Sequence, residues 1–317
     1  MNKFFFYFFY IHFILKINCY DGYLNYQNES TWGNLICING KFQSPISINS
    51  DLNLLIDNKN EIAKLESFEY FPIKNQKIKF IHGYKYMIDT SKNGFFNIRI
   101  SDKLYKFNLH DIHFHLNSEH KINSKSYDIE VHFVHTNSDS SDNSNNKYLV
   151  IAFLYKISYK ENNIDSFIEK LPFNDIDKEI EYLEFKSVFS KLKNQIIYFY
   201  KGGLTTPYCD ESVNWLVIGE IQKISFSKYI EIKNLIGKEY PLGNNREVKP
   251  LNSRKIYIIS STYNPRISNL RLIVIIIIFC LFILFIMSKM CPESLKCFDS
   301  ILLNGNCSIK ELLSTTP

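Results

Sequence analysis

Asp111-Ile112-His113-Phe114-His115 and Glu130-Val131-His132-Phe133-Val134-His135 are the two stretches on which the interpretation of this sequence depends. Each alternates apolar with polar side chains, and this period of two is typical of β-strands, whose successive side chains point to opposite faces. The connection of residues 117–126 is short enough for the two strands to pair as antiparallel neighbours. Six of the eight histidines of the chain fall between His110 and His135.

One face of the first strand carries Asp111, His113 and His115, and one face of the second carries Glu130 and His132. Residues two apart on a strand face are about 7 Å apart, so the first two histidines can bind one metal ion while the third approaches from the neighbouring strand. Three imidazoles with an open fourth position describe a catalytic zinc site. The two carboxylates could accept the imidazole N–H groups from outside the metal sphere. Ordinary strand histidines, solvated or packed in a core, remain the alternative on these residues alone.

Further alternating runs rich in Val, Ile, Phe and Tyr predict strands elsewhere in the chain. They are residues 77–82, 95–100, 148–155 and 256–260. Helical patterns are few, and the best candidates lie in residues 175–200. A polar stretch rich in Ser, Asn and Asp, residues 137–146, predicts a loop between two strands. The sequence therefore predicts one mainly β domain.

Composition limits the function classes. The 317 residues are 45% hydrophobic and 22% charged, which allows a packed core, and the net charge is only +5. Lys and Arg are scattered and form no run longer than two residues, so no nucleic-acid partner is expected.

Two apolar segments predict the membrane topology. Residues 1–19 have a short basic start, with Lys3, and continue with an apolar stretch that is too short to span a bilayer, as in a signal peptide. An uncleaved anchor is the alternative, and cleavage is left open. Residues 272–287 contain no charge and, as a helix, would extend roughly 24 Å. Arg271 and Lys289 flank this segment and can reach the lipid headgroups.

These segments divide the chain into a signal peptide (1–19), a folded domain (20–262), a stalk (263–271), a transmembrane helix (272–288) and a short tail (289–317). A buried core helix in place of the span is disfavoured by its uninterrupted apolar run, and a lipid anchor by the residues that follow it. We expect a protein of the secretory pathway that crosses the membrane once, with its domain extracellular or lumenal. Of the seven cysteines, only Cys37 and Cys209 belong to that domain, and two cysteines in an oxidising compartment indicate one disulfide.

Taken together, these motifs resemble those of the α-class carbonic anhydrases over about residues 23–255. The family core is reproduced in order by His113-Phe114-His115, Ser118-Glu119-His120 and the stretch 130–135. The segment Gly203-Leu204-Thr205-Thr206-Pro207-Tyr208-Cys209 resembles the family signature Ser-Leu-Thr-Thr-Pro-Pro-Cys. Outer motifs also match: Trp32-Gly33, Gln43-Ser44-Pro45-Ile46, Asn245-Arg246, Pro250-Leu251 and Arg254.

The resemblance implies a large, mainly antiparallel twisted sheet with small helices at its edges and a zinc ion at the base of a conical cleft. It implies reversible hydration of carbon dioxide to bicarbonate and a proton, by attack of zinc-bound hydroxide. His113, His115 and His132 would bind Zn²⁺. Thr205 would accept a hydrogen bond from the hydroxide and donate one to Glu119.

Other roles are implied in the same way. Tyr23 would help to order the water chain, Thr206 would contact bicarbonate, and Cys37 would pair with Cys209. An apolar pocket for carbon dioxide would be lined by Val134, Val150, Leu204, Val213 and Trp215. Besides carbon dioxide and bicarbonate, the predicted partner is the membrane, through the apolar segment 272–288, and the sequence makes no prediction of oligomeric state.

Three departures from the family pattern stand out. The family's proton-shuttle histidine follows an Asn-Gly pair, whereas here Asn93-Gly94 is followed by Phe95-Phe96, which predicts slowed proton transfer. Asp111 stands where the family usually has Gln. Gly203 and Tyr208 replace a Ser and a Pro beside Thr205.

Two other function classes compete with the enzyme. The first is a catalytically weak ectodomain of this type that serves as a binding or adhesion module. Such relatives typically lose a zinc histidine, and all three are present here, which favours catalysis. The second is a secreted zinc hydrolase of another family, which the absence of a His-Glu-x-x-His motif disfavours.

Overall fold

Strands dominate the part of the chain that the computed structural model describes, residues 24–49, 54–56, 62–81, 85–90, 93–142, 145–160, 164–192 and 195–260. In chain order they are β1 (Ser47–Ile48), β2 (Leu54–Ile56), β3 (Ala63–Tyr70), β4 (Lys79–Ile81), β5 (Lys85–Asp89), β6 (Gly94–Ile100), β7 (Lys103–Leu116), β8 (Lys121–Ile122), β9 (Ile129–Asn137), β10 (Tyr148–Ser158), β11 (Ile196–Gly202), β12 (Val213–Ile218), β13 (Gln222–Ser225) and β14 (Ile256–Ser260). The prediction of a mainly β fold is confirmed.

Twelve of these strands form one sheet, in the order β2-β14-β11-β12-β10-β9-β7-β5-β4. Off this path, β6 pairs with β7, β3 pairs with β6, and β13 pairs with β10. All pairings in this sheet are antiparallel except β10 with β12, β10 with β13 and β14 with β2. The strands β1 and β8 form a separate parallel pair.

The predicted strand runs lie within β6, β7, β9, β10 and β14, except for the run 77–82. Of that run only Lys79–Ile81 forms a strand, β4; residues 77 and 78 precede it, and His82 lies outside the described residues. The predicted polar loop connects β9 to β10, and Asn137 at its start donates a side-chain hydrogen bond to the carbonyl of Asn146 at its end (3.1 Å). The expected antiparallel pairing of the two histidine strands is present as β7 with β9.

Helices are short, as expected, but the prediction of their position is partly wrong. Among the described residues of 175–200, the helical segments are Lys186–Phe189 and the 3₁₀ turn Ser190–Leu192, and the range ends inside β11. The longest described helix is Phe226–Gly237, which begins after Ser225, whose hydroxyl accepts a hydrogen bond from the Lys228 N–H. Its buried face consists of Lys228, Ile232 and Ile236. A stripe with one lysine among so few apolar residues gives a weak helical signal in the sequence. The remaining helices are Glu29–Trp32 (3₁₀), Leu35–Asn39 and Ser166–Glu169.

The central strands are buried on both faces, as the all-buried positions 129–135 of β9 show. On one face, large side chains such as Phe133 and Phe153 belong to the main hydrophobic core. On the other, Val134, Val150 and Trp215 form a smaller apolar cluster beside the histidines. The alternation read from the sequence therefore separates a hydrophobic core from a functional face.

All described residues lie in one unit, Met1–Tyr263. The predicted signal peptide, stalk, transmembrane helix and tail fall outside the described residues. Within the described part of the chain, no helix has the length and apolar character needed to cross a membrane.

Candidate metal centre and cleft

Three histidines converge on the functional face of the sheet. The register of β7 and β9 places His113 directly opposite His132. The ring centroids of His113 and His115 are 5.0 Å apart, those of His113 and His132 are 5.0 Å apart, and those of His115 and His132 are 4.7 Å apart. One ligand nitrogen from each residue lies within 4.8 Å of the other two.

Each of these rings has its outer nitrogen held by an acceptor. His113 Nδ1 lies 2.8 Å from Asp111 Oδ1, and His115 Nδ1 lies 2.9 Å from the carbonyl of Asn244. His132 Nε2 lies 2.7 Å from Glu130 Oε1. An N–H donated outward leaves the other nitrogen as a lone pair that faces the centre.

The inner nitrogens fit a zinc ion. His113 Nε2 and His132 Nδ1 are 3.1 Å apart. Two ligands of a tetrahedral zinc ion with Zn–N bonds of about 2.0–2.1 Å are separated by roughly 3.3 Å. His115 Nε2 is buried and has no hydrogen-bond partner among the described residues. An unpartnered buried nitrogen is costly unless a ligand occupies the site.

Burial keeps all three rings neutral. Desolvation, followed by the positive charge of Lys85, lowers the pKa of His113 to about 3. Desolvation likewise lowers the pKa of His115 well below its usual value and lowers the pKa of His132. Neutral imidazole is the form that binds metal, so at pH 7 protons compete only weakly with a metal ion for these nitrogens.

A second group of possible ligands, His120, Glu130 and His132, is a hydrogen-bond network. Glu130 Oε1 lies 2.6 Å from His120 Nδ1 and 2.7 Å from His132 Nε2, and the other nitrogen of His120 contacts the Tyr200 hydroxyl at 2.7 Å. Desolvation would raise the pKa of Glu130, but the two histidines hold it well below its usual value. The carboxylate therefore orients His132 from behind.

Asp111 is paired with three groups. Its Oδ1 contacts Lys85 Nζ (2.8 Å) and His113 Nδ1, and its Oδ2 contacts His110 Nδ1 (2.9 Å). Desolvation alone would raise the pKa of Asp111, but Lys85, His110 and His113 together hold it well below its usual value. The negative charge that replaces the family's glutamine is thus balanced by a lysine from β5.

Glu119 lies beside the metal ligands. Its Oε1 accepts a hydrogen bond from the Arg246 backbone N–H (2.9 Å), and its Oε2 has no hydrogen-bond partner among the described residues. Desolvation and then Glu130 raise the pKa of Glu119 well above its usual value, against the opposing effects of Arg246 and Thr205. The structure therefore brings Thr205 and Glu119 close enough to interact.

The site opens into a cleft of about 510 Å³ with two unlike walls. Val134, Val150, Leu204 and Trp215 line an apolar wall, while Lys85, His110 and Asp111 line a polar one. Thr205, Thr206 and Tyr208 also line the cleft. Val213 packs in the apolar cluster behind the wall and is not among the described residues that line the cleft.

The loop of Thr205 is fixed from two sides. A disulfide joins Cys37 to Cys209. The buried Arg246 guanidinium donates to the carbonyl of Cys37 (2.8 Å), to Gln43 Oε1 (2.9 Å) and to Glu29 Oε2 (2.8 Å). The outer sequence motifs therefore meet behind the loop that carries the threonines.

The expectation about the proton-shuttle segment is wrong. Phe96 is fully buried and stacks on Phe68, with ring centroids 5.5 Å apart. Phe95 packs against Lys106, and neither phenylalanine is among the described residues that line the cleft. On the side away from β9, the strand beside His113 is β5, where Met87 pairs with His113. The Asn-Gly match therefore pointed to the wrong strand. Tyr23 lies outside the described residues.

Sequence reasoning missed Lys85, His110 and Asn244. His110 was counted in the histidine cluster but was given no role. Lys85 and Asn244 come from segments distant in sequence, and only strand pairing and the loop after the helix Phe226–Gly237 bring them to the site. No local pattern signals either contact.

Comparisons with known proteins agree with this geometry. The family model described as eukaryotic-type carbonic anhydrase matches residues 27–260. Alpha carbonic anhydrase 8 of Arabidopsis thaliana is 29% identical over 254 residues, which cover 77% of this chain and 60% of that protein's own length. The carbonic anhydrase of Neisseria gonorrhoeae is 26% identical over 245 residues, which cover 74% of this chain and 86% of that protein.

Solved structures are similar over the same region. A hyperthermostable carbonic anhydrase from an active hydrothermal vent chimney is 28% identical, with a TM-score of 0.55, and the match covers 75% of this chain and 99% of that one. The α-carbonic anhydrase of Thermovibrio ammonificans, solved with sulfanilamide, is 26% identical with a TM-score of 0.55, covering 74% and 97% of the two chains.

Proposed function

The chain belongs to the eukaryotic-type carbonic anhydrase family, and on that premise we propose that it binds one zinc ion and catalyses the reversible hydration of carbon dioxide to bicarbonate and a proton. His113, His115 and His132 are the proposed ligands. The observation that carries the proposal is the convergence of three neutral imidazoles whose outer nitrogens are all held by acceptors.

A zinc ion held by three imidazoles lowers the pKa of a bound water to about 7, so a strong nucleophile is available at neutral pH. The residues of the chain supply the rest. Thr205, next to Glu119, is placed to orient the attacking oxygen by a hydrogen bond. Val134, Val150 and Trp215 offer carbon dioxide an apolar wall, and the indole N–H of Trp215 already donates to the Gly203 carbonyl (3.1 Å). Thr206 is the proposed contact of the bicarbonate product.

We further propose that the domain is carried through the secretory pathway and held by one C-terminal span. The Cys37–Cys209 disulfide supports an oxidising compartment. Protease added to intact cells should remove the domain and leave residues 289–317 protected. A tail that is digested from outside would overturn this orientation.

Stopped-flow measurement of carbon dioxide hydration by the zinc-loaded full chain tests the activity. We expect a rate well above the buffer background for the natural chain, and a rate at the background for His132→Ala. Hydration at the background rate by a protein shown to contain zinc would refute the proposed function.

A further inference from the structure

His110 occupies an irregular position in β7. The pairing of β7 with β9 shifts between Leu109, opposite His135, and Asp111, opposite Val134, so His110 has no partner in β9. The carbonyl of His110 accepts a hydrogen bond from the Thr90 N–H (3.1 Å). A β-bulge of this kind redirects a side chain, and here it lets His110 and Asp111 line the same cleft.

The ring of His110 is anchored on one side only. Its Nδ1 lies 2.9 Å from Asp111 Oδ2, while Nε2 has no hydrogen-bond partner among the described residues. The side chain is 56% exposed, whereas those of the three proposed zinc ligands are nearly buried. His110 is therefore the histidine of the cleft wall that can exchange protons with bulk water.

Charged groups on β7 and on the neighbouring strand β5 act on His110. Asp111 lies beside it on β7, and Lys85 and Asp89 face it from β5. Asp210 also lines the cleft, but it is paired with Lys147 at 2.8 Å. The hydrogen bond to Asp111 raises the pKa of His110, against partial desolvation and Lys85, which lower it. The pKa of His110 is therefore raised in the direction of the pKa expected for water activated by zinc.

Hydration releases one proton per turnover, and that proton has to leave the cleft before the next attack. A relay works best when it accepts and releases a proton at similar cost. We propose that His110 is the proton-transfer residue of this cleft: Nε2 accepts the proton from cleft water and releases it to buffer. This inference rests on the proposed function. It replaces the expectation, drawn from Phe95 and Phe96, that the cleft lacks a proton relay.

The first test is the dependence of kcat on buffer concentration in the zinc-loaded full chain. We expect His110→Gln to lower kcat about ten- to a hundredfold in dilute buffer, with kcat/KM within about twofold of the natural chain. Added imidazole should restore kcat. Thr136→Val, a change of another residue that lines the cleft and carries no titratable group, should leave both parameters unchanged. Phe95→His in the His110→Gln background should not restore kcat, because Phe95 lies outside the cleft.

The second test does not depend on activity. In the zinc-loaded protein with isotope-labelled histidine, NMR should show a resonance that titrates with a pKa above 6.5 and that is missing in His110→Gln. The zinc content of the variant should be unchanged.

The outcomes separate the two proposals. A natural chain that hydrates carbon dioxide at the same kcat as His110→Gln in dilute buffer overturns the relay and spares the proposed function. A His110 resonance that titrates below pH 6 also overturns the relay. A zinc-loaded chain without hydration activity overturns both.

Discussion

Each proposed zinc ligand is oriented by a different kind of acceptor. An aspartate holds His113, a backbone carbonyl holds His115, and a glutamate holds His132. Acceptors outside the metal sphere fix both the tautomer and the ring angle, so the site is arranged before metal enters. This arrangement destabilises the metal-free protein, because His115 Nε2 is buried there without a hydrogen-bond partner among the described residues.

The first prediction concerns these ligands. His113→Ala, His115→Ala and His132→Ala should each lower zinc occupancy sharply, because two imidazoles hold zinc far more weakly than three. Metal analysis after dialysis against a weak chelator measures this, with His110→Gln as a matched control that keeps its zinc. If all three alanine variants kept the zinc content of the natural chain, the zinc would have to bind at another site.

The second prediction concerns Thr205. Thr205→Val keeps the shape of the side chain but removes the hydroxyl that lies near Glu119, so the attacking oxygen loses its orienting partner. We expect kcat/KM to fall about a hundredfold with zinc content unchanged. Thr205→Ser, which keeps the hydroxyl, should lose much less. A Thr205→Val variant that loses no more activity than Thr205→Ser would contradict an orienting role of the hydroxyl.

At the scale of elements, the histidine strands were predictable and the strand beside them was not. Alternation in β7 and β9 and the short connection between them predicted their pairing. The site partners Lys85 and Asn244 could not be predicted, because they depend on which distant segment pairs with or covers β7. The pair Asn93-Gly94 matched the family pattern locally, yet sheet pairing places the following Phe95 and Phe96 opposite Asn108 and Phe107, away from His113.

The third prediction concerns the link between the helix Leu35–Asn39 and the loop of Thr205. The Cys37–Cys209 disulfide closes a loop with a sequence separation of 172 residues. Its removal by Cys37→Ser with Cys209→Ser should lower the free energy of unfolding by roughly 4–5 kcal/mol in the chain-entropy model. Urea unfolding of the natural and doubly substituted proteins measures this. Free alkylation of both thiols in the native, unreduced protein would contradict it.

At the scale of the whole molecule, buried histidines make the metal-free protein sensitive to acid. Burial lowers the pKa of His113 to about 3 and that of His135 to about 4, and it also lowers the pKa values of His115 and His132. The same groups in the unfolded chain bind protons near pH 6.5. Below that pH the unfolded state therefore binds more protons than the folded state, and stability falls as pH falls.

The fourth prediction follows from this sign. Between pH 6.5 and 5, each of these histidines should cost the metal-free protein up to about 1.4 kcal/mol per pH unit. His110 and Glu119, whose pKa values are raised, act in the opposite direction. Urea midpoints measured against pH in the presence of chelator test it. The zinc-loaded protein should stay folded to a lower pH than the metal-free protein, because the metal competes with protons for the histidine rings. A midpoint that stays constant from pH 7 to pH 5 without zinc would contradict the account.

The central claim is that this chain is a zinc enzyme that works through His113, His115 and His132. Its most direct test is a titration of the metal-free full chain with zinc while carbon dioxide hydration is recorded by stopped flow. We predict that activity rises linearly and stops rising at one zinc per chain, and that His132→Ala shows no rise. Activity that is independent of zinc, or a chain that takes up one zinc and still fails to hydrate carbon dioxide, would contradict it.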